Sequence, residues 1–167
     1  MKSPRRFWLV AAGAVVVLAV ATPARAQKAI LLVRHAEKVD ESDDPLLAAA
    51  GKARARALAR HLRSAGVKAI YVTQYRRTGL TAAPLAAAAA LKPIVIHSDA
   101  TRELLDRIRK DHPADVVLVV GHSDTVPELL HLLGHPEPVT IGSTEYDNLF
   151  VAVPNQGGPP TVLRLRY

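Results

Sequence analysis

The chain has 167 residues, with 22 Lys and Arg against 15 Asp and Glu and no cysteine. That composition excludes a disulfide framework and a lipid-attachment cysteine, so the fold must be held by its core alone. The formal charge of +7 invites a nucleic-acid reading, but much of it belongs to the first 26 residues.

Lys2, Arg5 and Arg6 precede the apolar run Phe7 to Val20, and Ala24-Arg25-Ala26 follows it. A basic start, a short apolar run and a small-x-small triplet read as a secretory signal peptide. The run is shorter than the ~18 residues expected of a spanning helix. Cleavage after Ala26 is expected, giving a periplasmic or secreted protein without a stable membrane anchor. Four basic residues leave with the signal, and the charge of residues 27–167 falls to +3. With few aromatics interleaved among basic residues, a nucleic-acid partner loses its support. Residues 27–167 suit one domain.

Short apolar runs alternate with helical patterns from there on. This order predicts an α/β fold, a three-layer sandwich around a mostly parallel central sheet. Strands are expected over Ala29–Val33, Ala69–Thr73, Ile94–His97, Val116–Val120 and Leu149–Val153, with Val162–Arg166 at the edge. The unbroken apolar run Val116–Val120 suits a central strand buried on both faces. The first long helix is expected over Leu46–Ser64, with Asp44 as its cap, Pro45 in its first turn and Gly66 just beyond its end. Leu47, Ala50, Leu58 and Leu62 would face inward, and Lys52, Arg56, Arg60 and Arg63 would form a solvated stripe. Ala82–Ala90 reads as a helix with Pro84 near its start. A later helix is expected to open at Thr125 with a Thr125/Glu128 capping box and to end at Gly134. Residues 154–160, rich in Pro and Gly, read as a loop joining the last two strands.

Three of these strands end in chemistry. Val33 leads to Arg34-His35, Thr73 leads through Gln74-Tyr75 to Arg76-Arg77, and Val120 leads to Gly121-His122. Parallel strands would gather all three at one sheet edge, where α/β folds bind ligands. Two imidazoles and two or more guanidiniums suit a dianion such as phosphate.

Arg34-His35-Ala36-Glu37, Arg77-Thr78-Gly79-Leu80-Thr81-Ala82 and Gly121-His122-Ser123 together resemble the motifs of the histidine phosphatase superfamily, also called phosphoglycerate mutase-like. Leu47-Ala48-Ala49-Ala50-Gly51 resembles the family's Leu-Thr-x-x-Gly element, and the resemblance spans Ala29 to Val153. It implies that His35 is a nucleophile forming phosphohistidine, and that Arg34, Arg77 and His122 bind the transferring phosphoryl group. It requires no cofactor and no metal. Independently of the family, a neutral imidazole whose other nitrogen holds the proton can attack phosphorus. The family pattern selects Arg77 over Arg76, and alternation along an extended segment would separate the two side chains. Glu37 is expected in a structural role or at the rim.

For the general acid, Glu103 lies where short family members carry an Arg-Glu pair, yet it would equally complement a helix dipole. Asp124 competes for the role, since another branch of the superfamily places Asp directly after the second His; here Ser123 intervenes. His131 and His135 stand four apart, but Gly134 and Pro136 break the helix around them, so a metal site is not expected. The implied activity is that of an exported, metal-independent phosphatase acting on phosphorylated small molecules or phosphoprotein. The alternatives are a non-catalytic phosphate-binding or regulatory module of the same fold and a phosphomutase.

Overall fold

A computed structural model describes residues 28–155 and 157–167 of the chain; the expected signal peptide lies outside the described residues. The fold is α/β, with a mixed six-stranded sheet between two helical layers. In chain order the elements are β1 (Ala29–Arg34), α1 (Ala49–Leu62), β2 (Val67–Val72), α2 (Arg76–Ala89), β3 (Ile94–Val95), α3 (Thr101–Asp111), β4 (Val116–Gly121), α4 (Thr125–Leu132), β5 (Asn148–Asn155) and β6 (Gly158–Arg166).

The sheet order is β3-β2-β4-β1-β5-β6. β3, β2, β4 and β1 run parallel, whereas β5 pairs antiparallel with β1 and β6 with β5. Alternation along β1 shows how one strand serves two cores. Ile30 and Leu32 pack with Leu104, Ile108, Val126 and Leu129 of α3 and α4, while Leu31 and Val33 pack with Leu58, Leu62 and Leu85 of α1 and α2. β1 and β4 are neighbours, but the helices that follow them leave on opposite faces. The crevice between their carboxyl ends is therefore the switch point of the sheet, where open α/β sheets bind ligands.

Several local expectations are corrected. α1 begins at Ala49, not Leu46, and Ala48 caps it without a side-chain bond. Asp44 serves another helix, accepting a 2.8 Å bond from the Arg76 amide at the start of α2. Leu47 lies before α1, bridged to Lys38, and the buried stripe of α1 is Gly51, Ala55, Leu58 and Leu62, with Ala50 exposed. Lys52, Arg56, Arg60 and Arg63 are exposed, as expected. α2 opens at Arg76, so Pro84 sits inside it rather than near its start. The Thr125/Glu128 capping box does not form: Asp124 caps α4 through the Thr125 amide, and Glu128 turns to Thr101. The loop expected over residues 154–160 is mostly strand, because β5 and β6 extend to a tight turn at Gly157, where φ is +77°.

Gly51 shows why a glycine stands in the first helix. A Cβ there would lie 2.2 Å from the Glu37 carbonyl oxygen, because the segment leaving β1 crosses α1 at this point. Gly79, inside α2, has nothing within 4 Å of its own added Cβ. Gly51→Ala is therefore expected to lower stability by about 1–3 kcal/mol through overpacking. Gly79→Ala is expected to raise it by about 0.5–1 kcal/mol through helix propensity. Urea midpoints at constant slope measure both, and equal effects would contradict the crossing geometry.

Candidate active site

The ladder between β1 and β4 runs to its last rung at the site. Arg34 is paired with Gly121, and the next amide, His35 N–H, donates to the Gly121 carbonyl at 2.9 Å. That bond sets the two imidazoles side by side, with His35 and His122 ring centroids 5.3 Å apart in an edge-on arrangement. Both residues are more than nine-tenths buried, at 4% and 8% exposure.

His35 Nδ1 lies 2.8 Å from the Ala36 carbonyl oxygen. A carbonyl only accepts, so Nδ1 carries the proton and Nε2 keeps the lone pair. Burial lowers the His35 pKa to about 4, against the opposing bond to Ala36, and His122, Arg77 and Arg34 lower it further. His122 is likewise held near 4 by burial and by Arg77 and Arg34, with Asp124 pulling the other way. His122 Nε2 is 3.0 Å from Thr73 Oγ1, which in turn meets Thr78 Oγ1 at 3.1 Å. The Thr78 hydroxyl donates to the Tyr75 carbonyl at 2.8 Å. Thr81 holds the segment after β1, accepting from the Ala36 amide at 2.9 Å and donating to the Arg77 carbonyl at 2.8 Å. The two threonines of the sequence stretch Arg77 to Ala82 thus tie α2 to both histidine-bearing segments.

Each guanidinium is seated from behind. Arg34 directs Nη1 at the carbonyls of Gly142 (2.8 Å), Ser143 (2.9 Å) and Glu145 (3.3 Å), and lies over the Tyr146 ring. Glu145 braces that loop in turn: its carboxylate accepts from the Gly142 amide and pairs with Arg164 and Arg166. Arg77 directs Nη1 at the Asp43 carbonyl (3.0 Å) and stacks on Tyr75 at 4.2 Å. The Nε atoms of both arginines are buried and have no partner among the described residues. Arg76 points elsewhere and pairs with Asp44 at 2.9 Å. Both arginines lie in the first turn of α2, so helical rotation rather than strand alternation separates them. Glu37 is structural, gripping Arg54 through both carboxylate oxygens at 2.7–3.0 Å.

A cavity of about 480 Å³ opens at this edge, and Arg34, His35, Arg77 and His122 all line it. Glu103 does not; it is exposed in the first turn of α3. Asp124 lines the cavity, as do Asp99, Glu128 and Lys38. Sequence reasoning gave no role in seating the histidines and arginines to Tyr75, Tyr146, Thr73 or the backbone of the loop at 142–146. Tyr75 had a usable signal, since it directly precedes the Arg76-Arg77 pair, whereas the loop is brought in only by the β5 pairing.

Residues 30–103 match the family model described as histidine phosphatase superfamily (branch 1). That segment, from β1 to the first turn of α3, carries the chain's likeness to that superfamily. The protein histidine phosphatase SixA complexed with tungstate superposes with a TM-score of 0.67 at 17% identity, over 83% of this chain and 96% of that one. A mycobacterial glucosyl-3-phosphoglycerate phosphatase gives 0.66 at 16%, over 84% and 98%. A phosphoserine phosphatase from Entamoeba histolytica, in complex with 3-phosphoglyceric acid, gives 0.64 at 16%, over 83% and 96%. At these identities the likeness speaks for the fold. No curated protein sequence matches the chain.

The lowered imidazole pKa values make stability depend on pH. Unfolding returns each ring to about 6.5, so between 6.5 and about 4 the unfolded chain binds more protons than the folded one. Stability must then fall as pH drops through that window. His35→Gln and His122→Gln, which cannot titrate there, are each expected to flatten the slope of unfolding free energy against pH. Denaturant titrations at several pH values read it, and a slope unchanged in both variants would refute the assignment.

Proposed function

We propose that this chain is a histidine phosphatase superfamily member, an exported, metal-independent phosphatase that hydrolyses phosphomonoesters or phosphoprotein through a phosphohistidine on His35. The observation that carries the reading is the pairing of a neutral His35, its lone pair on Nε2, with the guanidiniums of Arg34 and Arg77 that line the same cavity. Such donors suit the oxygens of a transferring phosphoryl group, where positioning and charge stabilisation supply most of the catalysis. Export rests on the leader pattern of residues 1–26.

In this reading the Nε2 lone pair forms an N–P bond as the bond from phosphorus to the ester oxygen breaks. Arg34, Arg77 and His122 hold the equatorial oxygens. The leaving oxygen takes a proton from a carboxyl group, whose carboxylate then takes one from water. That water's oxygen attacks phosphorus, the N–P bond breaks, and phosphate leaves. Of the two carboxyls weighed for this role, Asp124 borders the cavity and acts on the field at His122, while Glu103 faces solvent. We therefore assign proton transfer to Asp124. The alternative of a binding module without turnover shares the anion pocket and differs only in the absence of phosphoenzyme.

Incubation with an aryl phosphate in the presence of a chelator, followed by alkaline quench, is expected to trap an acid-labile phosphoenzyme. His35→Ala is expected to abolish labelling and lower turnover by about a thousandfold or more, as loss of a covalent nucleophile does. Phosphate binding without labelling or turnover in the unaltered protein would favour the module. A second series separates the carboxyls. Asp124→Asn, which keeps the cap on α4, is expected to slow esters of poor leaving groups by about 10²-fold and to affect good ones far less. Glu103→Gln should leave both within about twofold; the reverse outcome would return the role to Glu103.

A further inference from the structure

The cavity has two walls of opposite charge. Arg34, Lys38 and Arg77 supply three cationic side chains, and Asp99, Asp124 and Glu128 supply three carboxylates on the approach from α3 and α4. Sharing one cavity, these groups still do not pair with one another among the described residues. Lys38 pairs with Glu41, Arg34 spends Nη1 on loop carbonyls, and Arg77 bonds the Asp43 carbonyl. On the other wall, Asp124 accepts from the Thr125 amide, Glu128 from the Thr101 hydroxyl, and Asp99 pairs with exposed His97. Each wall is anchored outward, which leaves the space between them for a ligand. Arg34, at 7% exposure, keeps its buried Nε unpartnered at the basic end.

A phosphate dianion placed against Arg34 and Arg77 offsets their charge, Lys38 is already paired with Glu41, and the carboxylates of Asp99 and Glu128, beside the Asp124 carboxyl that supplies the proton, face whatever the phosphate is attached to. An anionic substituent there meets like charge, which disfavours it. A cationic one meets carboxylates that have acceptor capacity to spare, since an ionised carboxylate offers about four lone-pair sites. We propose that the substrate is a phosphomonoester whose alcohol portion carries an ammonium group, held by the carboxylates of Asp99 and Glu128 while Arg34 and Arg77 hold the phosphate. This inference rests on the phosphatase reading and narrows it to a zwitterionic substrate class.

Three phosphonates of similar size separate charge from shape: 2-aminoethylphosphonate, propylphosphonate and phosphonoacetate. Calorimetric titration at mildly alkaline pH, with each phosphonate ionised and both imidazoles neutral, is expected to rank them ammonium over neutral over carboxylate. The first step should be about tenfold, the scale of one charge-assisted hydrogen bond. Asp99→Asn and Glu128→Gln are expected to reduce the ammonium preference by about threefold or more each, while propylphosphonate affinity stays within about twofold. Glu128→Gln keeps an acceptor for Thr101, and Asp99 bonds only exposed His97, so neither change threatens folding. Equal affinities for the ammonium and neutral ligands, or a preference for phosphonoacetate, would overturn the proposal. Because the readout is binding, it fails separately from the catalytic reading: an ammonium preference without aryl phosphate turnover sinks catalysis alone. Turnover with indifferent phosphonate binding sinks this inference alone.

Discussion

The hydrogen bond from the His35 amide to the Gly121 carbonyl, at 2.9 Å, is the constraint on which the site depends. It continues the β1–β4 ladder one residue past the strands, so the register that packs both cores also sets the spacing of the two imidazoles. Gly121 makes this possible on the other side. A Cβ there would lie 2.7 Å from Thr125 Oγ1, the atom that accepts from the His122 amide. A side chain at Gly121 would push α4 away and turn His122 with it. Close packing and catalytic geometry are thus one requirement at this position.

Around that fixed pair the arginines are held by backbone rather than by acids. Carbonyl oxygens carry partial charge, so they orient a guanidinium without neutralising it, as a carboxylate would. Tyr146 and Tyr75 lie over the two guanidinium planes and restrict their rotation. The uncancelled positive charge then works with burial to keep His35 neutral, which the lone pair on Nε2 requires. Leaving two buried Nε donors unpartnered costs about 1–3 kcal/mol each, or more because they are charged.

What the sequence made legible follows from which forces act locally. Strand ends carrying Arg34-His35 and Gly121-His122 were readable because apolar runs mark strands and parallel order fixes which ends meet. Arg77 was readable only with the motif around it, since its direction comes from the first turn of a helix whose start the alanine-rich stretch concealed. Asp44 was misassigned as the cap of α1 because capping propensity says that a residue will cap but not which helix. Its true partner, the Arg76 amide, is distant in sequence and is brought near only by tertiary packing. The same holds for the loop at 142–146, which reaches Arg34 because β5 pairs antiparallel with β1. Glu103 illustrates the limit for side chains: its helix was anticipated, but the face it occupies depends on which residues of α3 enter the core.

The two ends of the cavity are built by different means, and this separates chemistry from selectivity. At the phosphate end Arg34, His35 and His122 are buried and Arg77 half-buried, each tied to backbone or to a buried threonine, so a substitution there disturbs β1, β4 or the start of α2 together with the site. At the far end Asp99 and Glu128 are exposed side chains on the loop before α3 and on α4, each held by a single side-chain partner. Exposed positions tolerate change with little effect on stability, whereas buried networks do not. The charge of the outer wall can therefore vary among relatives of this fold while the histidine and arginine geometry stays fixed. On the proposed reading, substrate preference is set by exposed carboxylates that carry little of the fold's stability, around a phosphate pocket built from the ends of β1 and β4 and the start of α2.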